Sequence, residues 1–334
     1  MELTQKGKIR IYACGGTGTN IGLLLEKYRN GNYPGFSNLD ITYIDTSKSN
    51  GRTHIDDIHF YKIGEKSGKE LDGSGKLRSE NSDLIDESSL DILQKFPPAD
   101  LNIVISSAGG GSGSIISPCL ARDLLNADAP VISLLIGSTD TRLDCENTLK
   151  TIKTYESMVK RCKKPIVMMY MQNSLEYQRD AVDNSMVNAI VSLSALFSRE
   201  NLEIDSKDLF NWLRFDRVTT YQSQLASLTL LINTDTPKEI GNIISVATLV
   251  RTGMNTVFPI TPDYQCSGFF PETIDSTVLE KAPVHYVVSD GIISTVAKRL
   301  NDLIADMQKA QNARIKVTAT LTDKDEPTDS GLVI

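Results

Sequence analysis

The stretch Ser106-Ser107-Ala108-Gly109-Gly110-Gly111-Ser112-Gly113-Ser114 decides the fold class of this 334-residue chain. It follows an apolar run at residues 101–106 that is typical of a strand buried on both faces, and it precedes a helical pattern at 114–125. Glycines in a strand-to-helix turn leave consecutive backbone N–H groups free to approach an anion. The sequence therefore predicts a phosphate-binding loop at the start of a helix.

The first glycine-rich loop along the chain, Ala13-Cys14-Gly15-Gly16-Thr17-Gly18-Thr19-Asn20-Ile21-Gly22, follows an apolar run at residues 9–13, and the stretch at 106–114 is the second. Taken alone, it also fits a dinucleotide-binding turn, although the spacing of Gly16, Gly18 and Gly22 is one residue longer than GxGxxG. Neither the P-loop pattern GxxxxGK[ST] nor the nucleophile elbow GxSxG occurs in the chain. Two phosphate loops on two strands of one sheet indicate a polyphosphate that is held from both sides.

Apolar runs and helical patterns alternate through the first half of the chain. The predicted strands lie at 9–13, 39–44, 101–106, 131–136 and 166–171, and the predicted helices at 19–29, 83–96, 114–125 and 143–161. This order predicts an α/β fold with a parallel sheet, because parallel strands need crossovers of about a dozen residues. Ligands of such sheets bind at the carboxyl ends of the strands.

The second half of the chain differs in pattern. It carries a largely buried helix at 180–199, strands at 219–234 and 283–289, and a long helix at 292–315. These elements predict a smaller α/β domain that a central helix joins to the first. We divide the chain into a nucleotide-binding domain (1–179), the central helix (180–200), a second domain (201–290), a C-terminal helix (291–316) and an acidic tail (317–334).

Composition excludes several classes of protein. With 35 Lys+Arg and 42 Asp+Glu, the net charge is 35 − 42 = −7, which disfavours a protein that binds nucleic-acid phosphates over a broad surface. The five cysteines show no CxxC spacing, no HExxH occurs, and no apolar run approaches the roughly 20 residues that span a bilayer. We therefore expect a cytoplasmic protein without a metal centre of its own, a membrane contact or direct nucleic-acid binding.

The second loop, Gly109-Gly110-Gly111-Ser112-Gly113-Ser114, resembles the GGGTGSG signature of the tubulin/FtsZ superfamily, with Ser in place of Thr. Residues 203–215, the run 148–156 and the acidic C-terminus ending Gly331-Leu332-Val333-Ile334 resemble more closely the PhuZ-type tubulin-like proteins of large bacteriophages. The resemblance implies a tubulin/FtsZ-like fold, GTP binding and hydrolysis, and head-to-tail polymerisation. The filaments would position the phage genome compartment in the cytoplasm of the infected bacterium.

The resemblance also implies a nucleotide site across the carboxyl ends of the strands. Asp45 would face the nucleotide or its Mg²⁺, which is held mainly through the phosphates, and Asp140 would face the ribose. The γ-phosphate would be sensed by the segment 73–78, which contains Gly75, Lys76 and Arg78, although a solvated loop is the alternative. The first loop would contact the phosphates and the base with Gly16, Thr17, Gly18 and Asn20. The second loop would hold the phosphates with Gly110, Gly111, Ser112, Gly113 and Ser114.

Base recognition is implied near the start of the central helix. Val182-Asp183-Asn184-Ser185-Met186 resembles Ile-Asp-Asn-Glu-Ala of tubulin, and the Asn184 amide would offer guanine both a donor and an acceptor. Asn173 resembles a second guanine-contacting residue, while a helix cap or turn is the alternative role for either asparagine. The family's stacking aromatic has no counterpart, because Asp180 lies there and Tyr177 lies upstream.

Asp205 and Asp208 resemble the paired acids that follow the central helix in FtsZ, with Glu203 as a possible third. In that family the loop reaches the γ-phosphate of the next subunit and orients the attacking water, so that hydrolysis needs a filament. From the residues alone, an acidic helix N-terminus with an N-cap is the alternative.

The acidic tail and the competing functions complete the predictions. Residues 323–334, with a terminal apolar triplet, suit docking in a basic groove of a neighbouring subunit, while a tail that only confers solubility is the alternative. An NAD(P)-dependent oxidoreductase would use the 15–22 loop alone. A nucleotide-binding regulator that does not polymerise is a further alternative, as is a plasmid-segregation tubulin homologue, which would instead need a basic tail.

Overall fold

The computed structural model describes residues 6–29, 33–49, 55–174, 177–232, 240–254, 261–279 and 282–317. Its strands are β1 (Lys8–Cys14), β2 (Asn38–Asp45), β3 (Phe60–Lys62), β4 (Leu101–Ser107), β5 (Val131–Ser138), β6 (Ile166–Asn173), β7 (Leu225–Ile232), β8 (Ile243–Val250), β9 (Tyr264–Phe269) and β10 (Val284–Ser289). Its α-helices are α1 (Gly15–Leu25), α2 (Ser82–Lys95), α3 (Gly113–Asn126), α4 (Arg142–Cys162), α5 (Arg179–Leu196), α6 (Ser206–Leu213) and α7 (Ile292–Val317).

The strands form one mostly parallel sheet in the order β3-β2-β1-β4-β5-β6-β7-β10-β8-β9. Neighbouring strands from β3 to β7 are parallel, whereas β10 is antiparallel to both β7 and β8. The predicted α/β class is confirmed, and all five strands predicted in the first half occur. The chain also forms β3, β8 and β9, which were not predicted, although β8 is itself a continuous buried run.

Two apolar cores cover the two faces of the sheet. Successive residues of a strand point to opposite faces, so Ile11 and Ile103 pack on the side of α1 and α5, while Tyr12 and Val104 pack on the side of α2, α3 and α4. The helix predicted at 180–199 is α5, which is buried along most of its length. Because helices cover both faces of the sheet, the loops lie along two edges: the carboxyl edge, where the parallel strands end, and the amino edge, where they begin.

The two halves of the sheet meet where β6 pairs with β7, over only three residue pairs, from Ile166↔Leu225 to Met168↔Ser227. The predicted strand at 219–234 begins only at Leu225, because the Thr219 N–H donates to Phe215 O at 2.9 Å and closes a turn after α6. The division into two domains stays a prediction, and the acidic tail at 323–334 lies outside the described residues. No helix in the described part of the chain is long and apolar enough to cross a membrane.

Candidate functional site

The two glycine-rich loops lie side by side at the carboxyl edge of the sheet, where α1 and α3 begin directly after β1 and close after β4. A Cβ on Gly113 would lie 2.7 Å from Cys14 O, and one on Gly18 would lie 2.7 Å from Ile105 O. Gly15 has a φ of +68°, which favours glycine. Only glycines therefore allow the N-termini of α1 and α3 to approach so closely. Both helix N-termini direct unpaired N–H groups and the positive ends of their dipoles to this edge.

Hydroxyl groups fix the shape of the second loop. The Ser114 hydroxyl donates to Gly110 O at 2.7 Å and to Gly111 O at 2.8 Å, so it braces the loop from inside. The Ser112 Oγ lies 2.8 Å from Thr46 Oγ1, directly after β2. Asp45, which is buried, accepts a hydrogen bond from the Thr46 N–H at 2.7 Å. The structure thus brings the end of β2 against the second loop, while the role of Asp45 towards the nucleotide or its Mg²⁺ stays a prediction.

The predicted sensing segment, residues 73–78, covers the second loop. The Ser74 side chain occupies the space in which a Cβ on Gly111 would lie, and Ser112 Oγ is 3.2 Å from Ser74 Oγ. Gly75 has a φ of +53° and open space around it. Lys76 Nζ lies 2.7 Å from Asp144 Oδ1, and Arg78 donates to Ser114 O at 3.1 Å. Both cations are therefore bound to protein groups beside the loop.

Burial lowers the pKa of Arg78 to about 10, because the low-dielectric surroundings disfavour its charge. The guanidinium still carries that charge at neutral pH. Its contacts with Ser114 O and the Thr151 hydroxyl show that it braces the loop in the conformation described.

A cleft of about 1150 Å³ opens at the carboxyl end of β6, beyond the three residues that pair with β7. Asp140, which follows β5, lies on one wall, and Arg299 of α7 lies on another. Further lining residues come from the β6–α5 connection and the first turns of α5, namely Ser174, Tyr177, Ala181, Val182 and Ser185. The cleft adjoins the glycine-rich edge and presents polar groups, as a nucleoside site requires.

Two buried oxygens near this cleft have no hydrogen-bond partner among the described residues: Asn173 Oδ1 and Asp183 Oδ1. Asp183 is 6% exposed, and its burial raises the pKa of its carboxyl group, an effect that Arg179 opposes. Asn184 is instead exposed, and its Nδ2 donates to Asp180 O at 2.8 Å. The unsatisfied acceptors are therefore those of Asn173 and Asp183, whereas the amide nitrogen of Asn184 is hydrogen-bonded within its own helix.

Asp183 was missed from the sequence, although a signal was present. It shares helical spacing with Met186, Val187 and Ile190, all of which are buried. A carboxylate on the apolar stripe of a helix is costly unless it meets a donor or a cation. That spacing, rather than the adjacent family motif, indicates the residue.

Asp205 and Asp208 lie at the start of α6 and form a reciprocal capping box. Asp205 Oδ1 accepts from the Asp208 N–H at 2.9 Å, and Asp208 Oδ2 accepts from the Asp205 N–H at 3.2 Å. The Tyr264 hydroxyl lies 3.3 Å from Asp208 Oδ1. The alternative role of the pair as helix caps is therefore present in the structure, and it holds both carboxylates on one turn.

This acid pair lies at the amino edge of the sheet, opposite the glycine loops. Asp205 lines a cleft of about 560 Å³ together with Ala99 and Asp100, which precede β4, and Pro130, which precedes β5. A seven-residue strand such as β4 is about 23 Å long, and the 18-residue helix α5, which runs from one edge to the other, is about 27 Å long. The predicted site residues therefore collect in two groups that one chain does not bring together.

The fold is that of the tubulin/FtsZ class, with a mostly parallel sheet and two glycine-rich helix starts at its carboxyl edge. No family model matches the chain. A phage tubulin-like protein of Pseudomonas phage phiKZ is 30% identical over 339 residues, covering 99% of each protein, and the chain therefore belongs to the family of phage tubulin-like proteins. The PhuZ-type resemblance is thus confirmed.

Solved structures agree with this assignment. A protofilament of TubZ from bacteriophage PhiKZ superposes with a TM-score of 0.83 at 29% identity, covering 98% of this chain and 99% of the other. The phage tubulin PhuZ in complex with GDP superposes with a TM-score of 0.80 at 22% identity, covering 98% and 99% of the two chains, and supports the fold. Family membership favours the tubulin-like interpretation over the oxidoreductase alternative.

Proposed function

We propose that this protein is a GTPase that binds GTP at the carboxyl edge of its sheet and polymerises head to tail. In the filament, Asp205 and Asp208 at the amino edge of one subunit complete the active site of the next. The observation that carries the proposal is the separation of the two groups by the full length of the sheet. A head-to-tail copy brings opposite edges together, and such a heterologous contact repeats into an open filament.

The carboxyl edge has the features of a binding site for a nucleoside triphosphate. Glycines pack the N-termini of α1 and α3 so closely that a Cβ on Gly113 would overlap the backbone at Cys14, and unpaired N–H groups of two helices favour bound phosphate. Asp140 would face the ribose. The phosphate-binding residues are Gly16, Thr17, Gly18, Asn20, Gly110, Gly111, Ser112, Gly113 and Ser114, with Gly75 in the adjacent segment.

The described residues contain no group of three or more His, Cys, Asp or Glu side chains that could hold a metal ion. We therefore propose that Mg²⁺ is held mainly through the phosphates, with Asp45 at the end of β2 as the adjacent carboxylate. When bound, Mg²⁺ offsets the phosphate charge.

Base recognition rests on the two unsatisfied acceptors. Guanine presents N1–H and N2–H donors on one edge, and Asn173 Oδ1 and Asp183 Oδ1 are buried oxygens that need donors. Asn184, whose Nδ2 is bound to Asp180 O, would add its remaining oxygen. Protonation of Asp183 would turn one of its acceptor oxygens into an O–H donor and remove the negative charge, so base recognition is strongest with the ionised form.

Hydrolysis requires an oriented water and neutralised charge more than a covalent nucleophile. The capping box fixes the two carboxylates relative to each other on an exposed turn. Asp205 Oδ1 accepts the N–H groups of both Lys207 and Asp208, and Asp205 Oδ2 accepts no hydrogen bond from the described residues. The cap and the proposed catalytic role are therefore compatible, with the cap as the support that positions the acids.

The C-terminal helix extends towards the neighbouring subunit. Gln308 of α7 contacts Arg142, the first residue of α4, at the carboxyl edge. The remainder of α7, to Val317, adds about 13 Å beyond this level. Val317, the last described residue, therefore lies towards the subunit whose amino edge would supply Asp205 and Asp208, and the tail at 323–334 lies outside the described residues.

A groove of about 520 Å³ between α3 and α4 fits the tail's chemistry. Its exposed rim carries Lys150, Lys153 and Arg161, none of which pairs with an acid of the described residues, and its floor includes Pro118 and Met158. The tail combines acidic residues with a terminal Leu-Val-Ile, so charge and apolar contacts are both matched. We propose this groove as the tail's docking site on the neighbour, and the phage genome compartment in the host cytoplasm as the filament's cargo.

The test is the dependence of GTP hydrolysis on protein concentration. The rate per subunit should rise steeply above a threshold concentration and then level off, as light scattering reports filaments. Below the threshold, fluorescent GTP should still bind, because the binding edge is complete in one chain. A constant rate per subunit over a hundredfold dilution would show that one subunit is sufficient.

A further inference from the structure

One face of α4 carries polar side chains where an apolar stripe is usual. Asp144, Asn147, Thr148 and Thr151 are 3%, 2%, 0% and 0% exposed. Their spacing of three, four and seven residues places them in one stripe along the helix. Buried polar groups require hydrogen-bond partners, so this stripe indicates that polar segments pack against it.

The stripe holds the second glycine loop. Asn147 Nδ2 donates to Gly109 O at 3.2 Å, and Thr151 Oγ1 donates to Ala108 O at 2.8 Å. A Cβ on Gly109 would lie 3.3 Å from Thr148 Oγ1. The loop that we propose to bind phosphate is therefore fixed from behind by α4.

The same stripe holds the sensing segment. Asn147 Nδ2 also donates to Lys76 O at 2.9 Å, and Arg78 contacts Thr151. Lys76 Nζ lies 2.7 Å and 3.0 Å from the two carboxylate oxygens of Asp144. One helix face thus binds both segments that flank the proposed phosphate site.

The Lys76–Asp144 pair is unequal in burial. The Asp144 side chain is 4% exposed and the Lys76 side chain 50%. Asp144 Oδ2 also accepts from the Thr141 hydroxyl at 2.6 Å. A buried carboxylate is costly without a cation, so Asp144 attracts Lys76, while the exposed half of the lysine leaves it able to move.

Lys76 lies beside the proposed phosphate site, because its Cα is 3.1 Å from the position of a Cβ on Gly111. We propose that Asp144 is a positioning residue that competes with the terminal phosphate of GTP for Lys76. Asp144 thereby limits how strongly the site prefers GTP to GDP. This inference rests on the proposed function, because it assumes that the carboxyl edge binds guanine nucleotides.

The experiment compares the affinities of fluorescent GDP and a fluorescent non-hydrolysable GTP analogue by anisotropy. Asp144→Asn keeps the side-chain volume but removes the competing charge, so the preference for the triphosphate should rise roughly fivefold, the scale of one partly exposed ion pair. Lys76→Met should reduce that preference towards equality. In the Lys76→Met background, Asp144→Asn should have no further effect on the ratio.

Glu146→Gln is the matched control, because Glu146 lies on the same turn of α4 and pairs only with Arg142 among the described residues, at 3.5 Å. It should leave the ratio unchanged. A purely structural role for Asp144 would weaken both affinities together, so an unchanged or reduced ratio in Asp144→Asn would overturn the inference. If the wild-type protein bound neither nucleotide, the proposed function itself would fail.

Discussion

The two edges of the sheet are built in opposite ways. At the carboxyl edge, side chains are hydrogen-bonded to one another: Thr46 to Ser112, and Ser112 to Ser74. Helix α4 binds the segments around them from the opposite side. At the amino edge, Asp205 and Asp208 lie on a partly exposed turn whose contacts are mainly within the turn itself.

This difference matches the separate roles that we propose for the two edges, nucleotide binding at one and hydrolysis at the other. A site that encloses a ligand must be assembled before binding, whereas groups that act on another subunit must project outwards. Variants at the carboxyl edge should therefore affect nucleotide binding and stability, and variants that neutralise the acids at the amino edge should affect mainly hydrolysis and the filament lifetime that depends on it.

The largest expected effect is at the amino edge. Asp208→Asn removes a charge but keeps an oxygen for the Asp205 N–H, and its amide nitrogen can donate to the Tyr264 hydroxyl, so the fold should be retained. GTP hydrolysis, measured by phosphate release, should fall about 100-fold or more, as for loss of a water-orienting carboxylate. Filaments should persist longer in pelleting assays.

Glu87→Gln serves as the control, because it neutralises an exposed acid of α2 without touching either edge. Hydrolysis by Asp208→Asn at the wild-type rate would remove the pair from the mechanism. Asn in place of Ala is essential here, since Ala would also remove the half of the capping box that Asp208 supplies.

The next largest effect is at the carboxyl edge. Gly113→Ala places a Cβ 2.7 Å from the backbone oxygen of Cys14, so it should lower the free energy of unfolding, by about 2 kcal/mol or more. The control is Gly110→Ala, whose nearest neighbour would be at an ordinary 3.5 Å, and which should change stability by less than about 0.5 kcal/mol. Urea denaturation distinguishes the two, and equal stabilities would disprove the tight packing of the helix starts.

A smaller effect is expected for recognition of the guanine base. Asp183→Asn replaces one of the two acceptor oxygens by an amide donor and removes the charge, so the affinity for GTP should fall about tenfold, while that for XTP, whose base has an oxygen at position 2, should rise. Because burial raises the pKa of Asp183, GTP binding by the wild-type protein should weaken as the pH falls through that raised value. The variant should lose this pH dependence.

Titration of both proteins with fluorescent GTP and XTP between neutral and mildly acidic pH measures the effect. Parallel loss of both nucleotides in Asp183→Asn would assign the residue to folding instead.

The smallest effect concerns the groove between α3 and α4. Lys153→Glu should raise the critical concentration for polymerisation about threefold, and added salt should reduce the difference by screening. Lys298→Glu makes the same charge change in the separate groove between α4 and α7 and is the control. If truncation of residues 323–334 left the critical concentration unchanged, the groove would have no role in docking the tail.

The parallel half of the fold was predictable, because buried parallel strands are continuous apolar runs and the glycines mark where helices begin. The polar stripe of α4 was not. Asp144 and Asn147 follow the period of an amphipathic helix, and periodicity alone assigns polar positions to solvent. Only the packing of α4 against two polar loops reverses that assignment.

The site was predictable to a similar extent. The glycine loops follow from local sequence, and their adjacency follows from strand order. The Lys76–Asp144 pair depends on a contact between segments far apart in the chain, which no local pattern encodes. Asp183 differs, because its helical spacing with buried apolar residues was a local signal. The strands β8 and β9 were also missed, and β9 alternates buried with exposed positions, a weaker signal than a continuous apolar run.

The short seam between β6 and β7 has a mechanical consequence. Three residue pairs join the two halves of the sheet, while α5 runs unbroken from one edge to the other between the glycine loops and the acid pair. Tension applied between neighbouring subunits would therefore travel mainly along the axis of this stiff rod, and shear would concentrate at the seam.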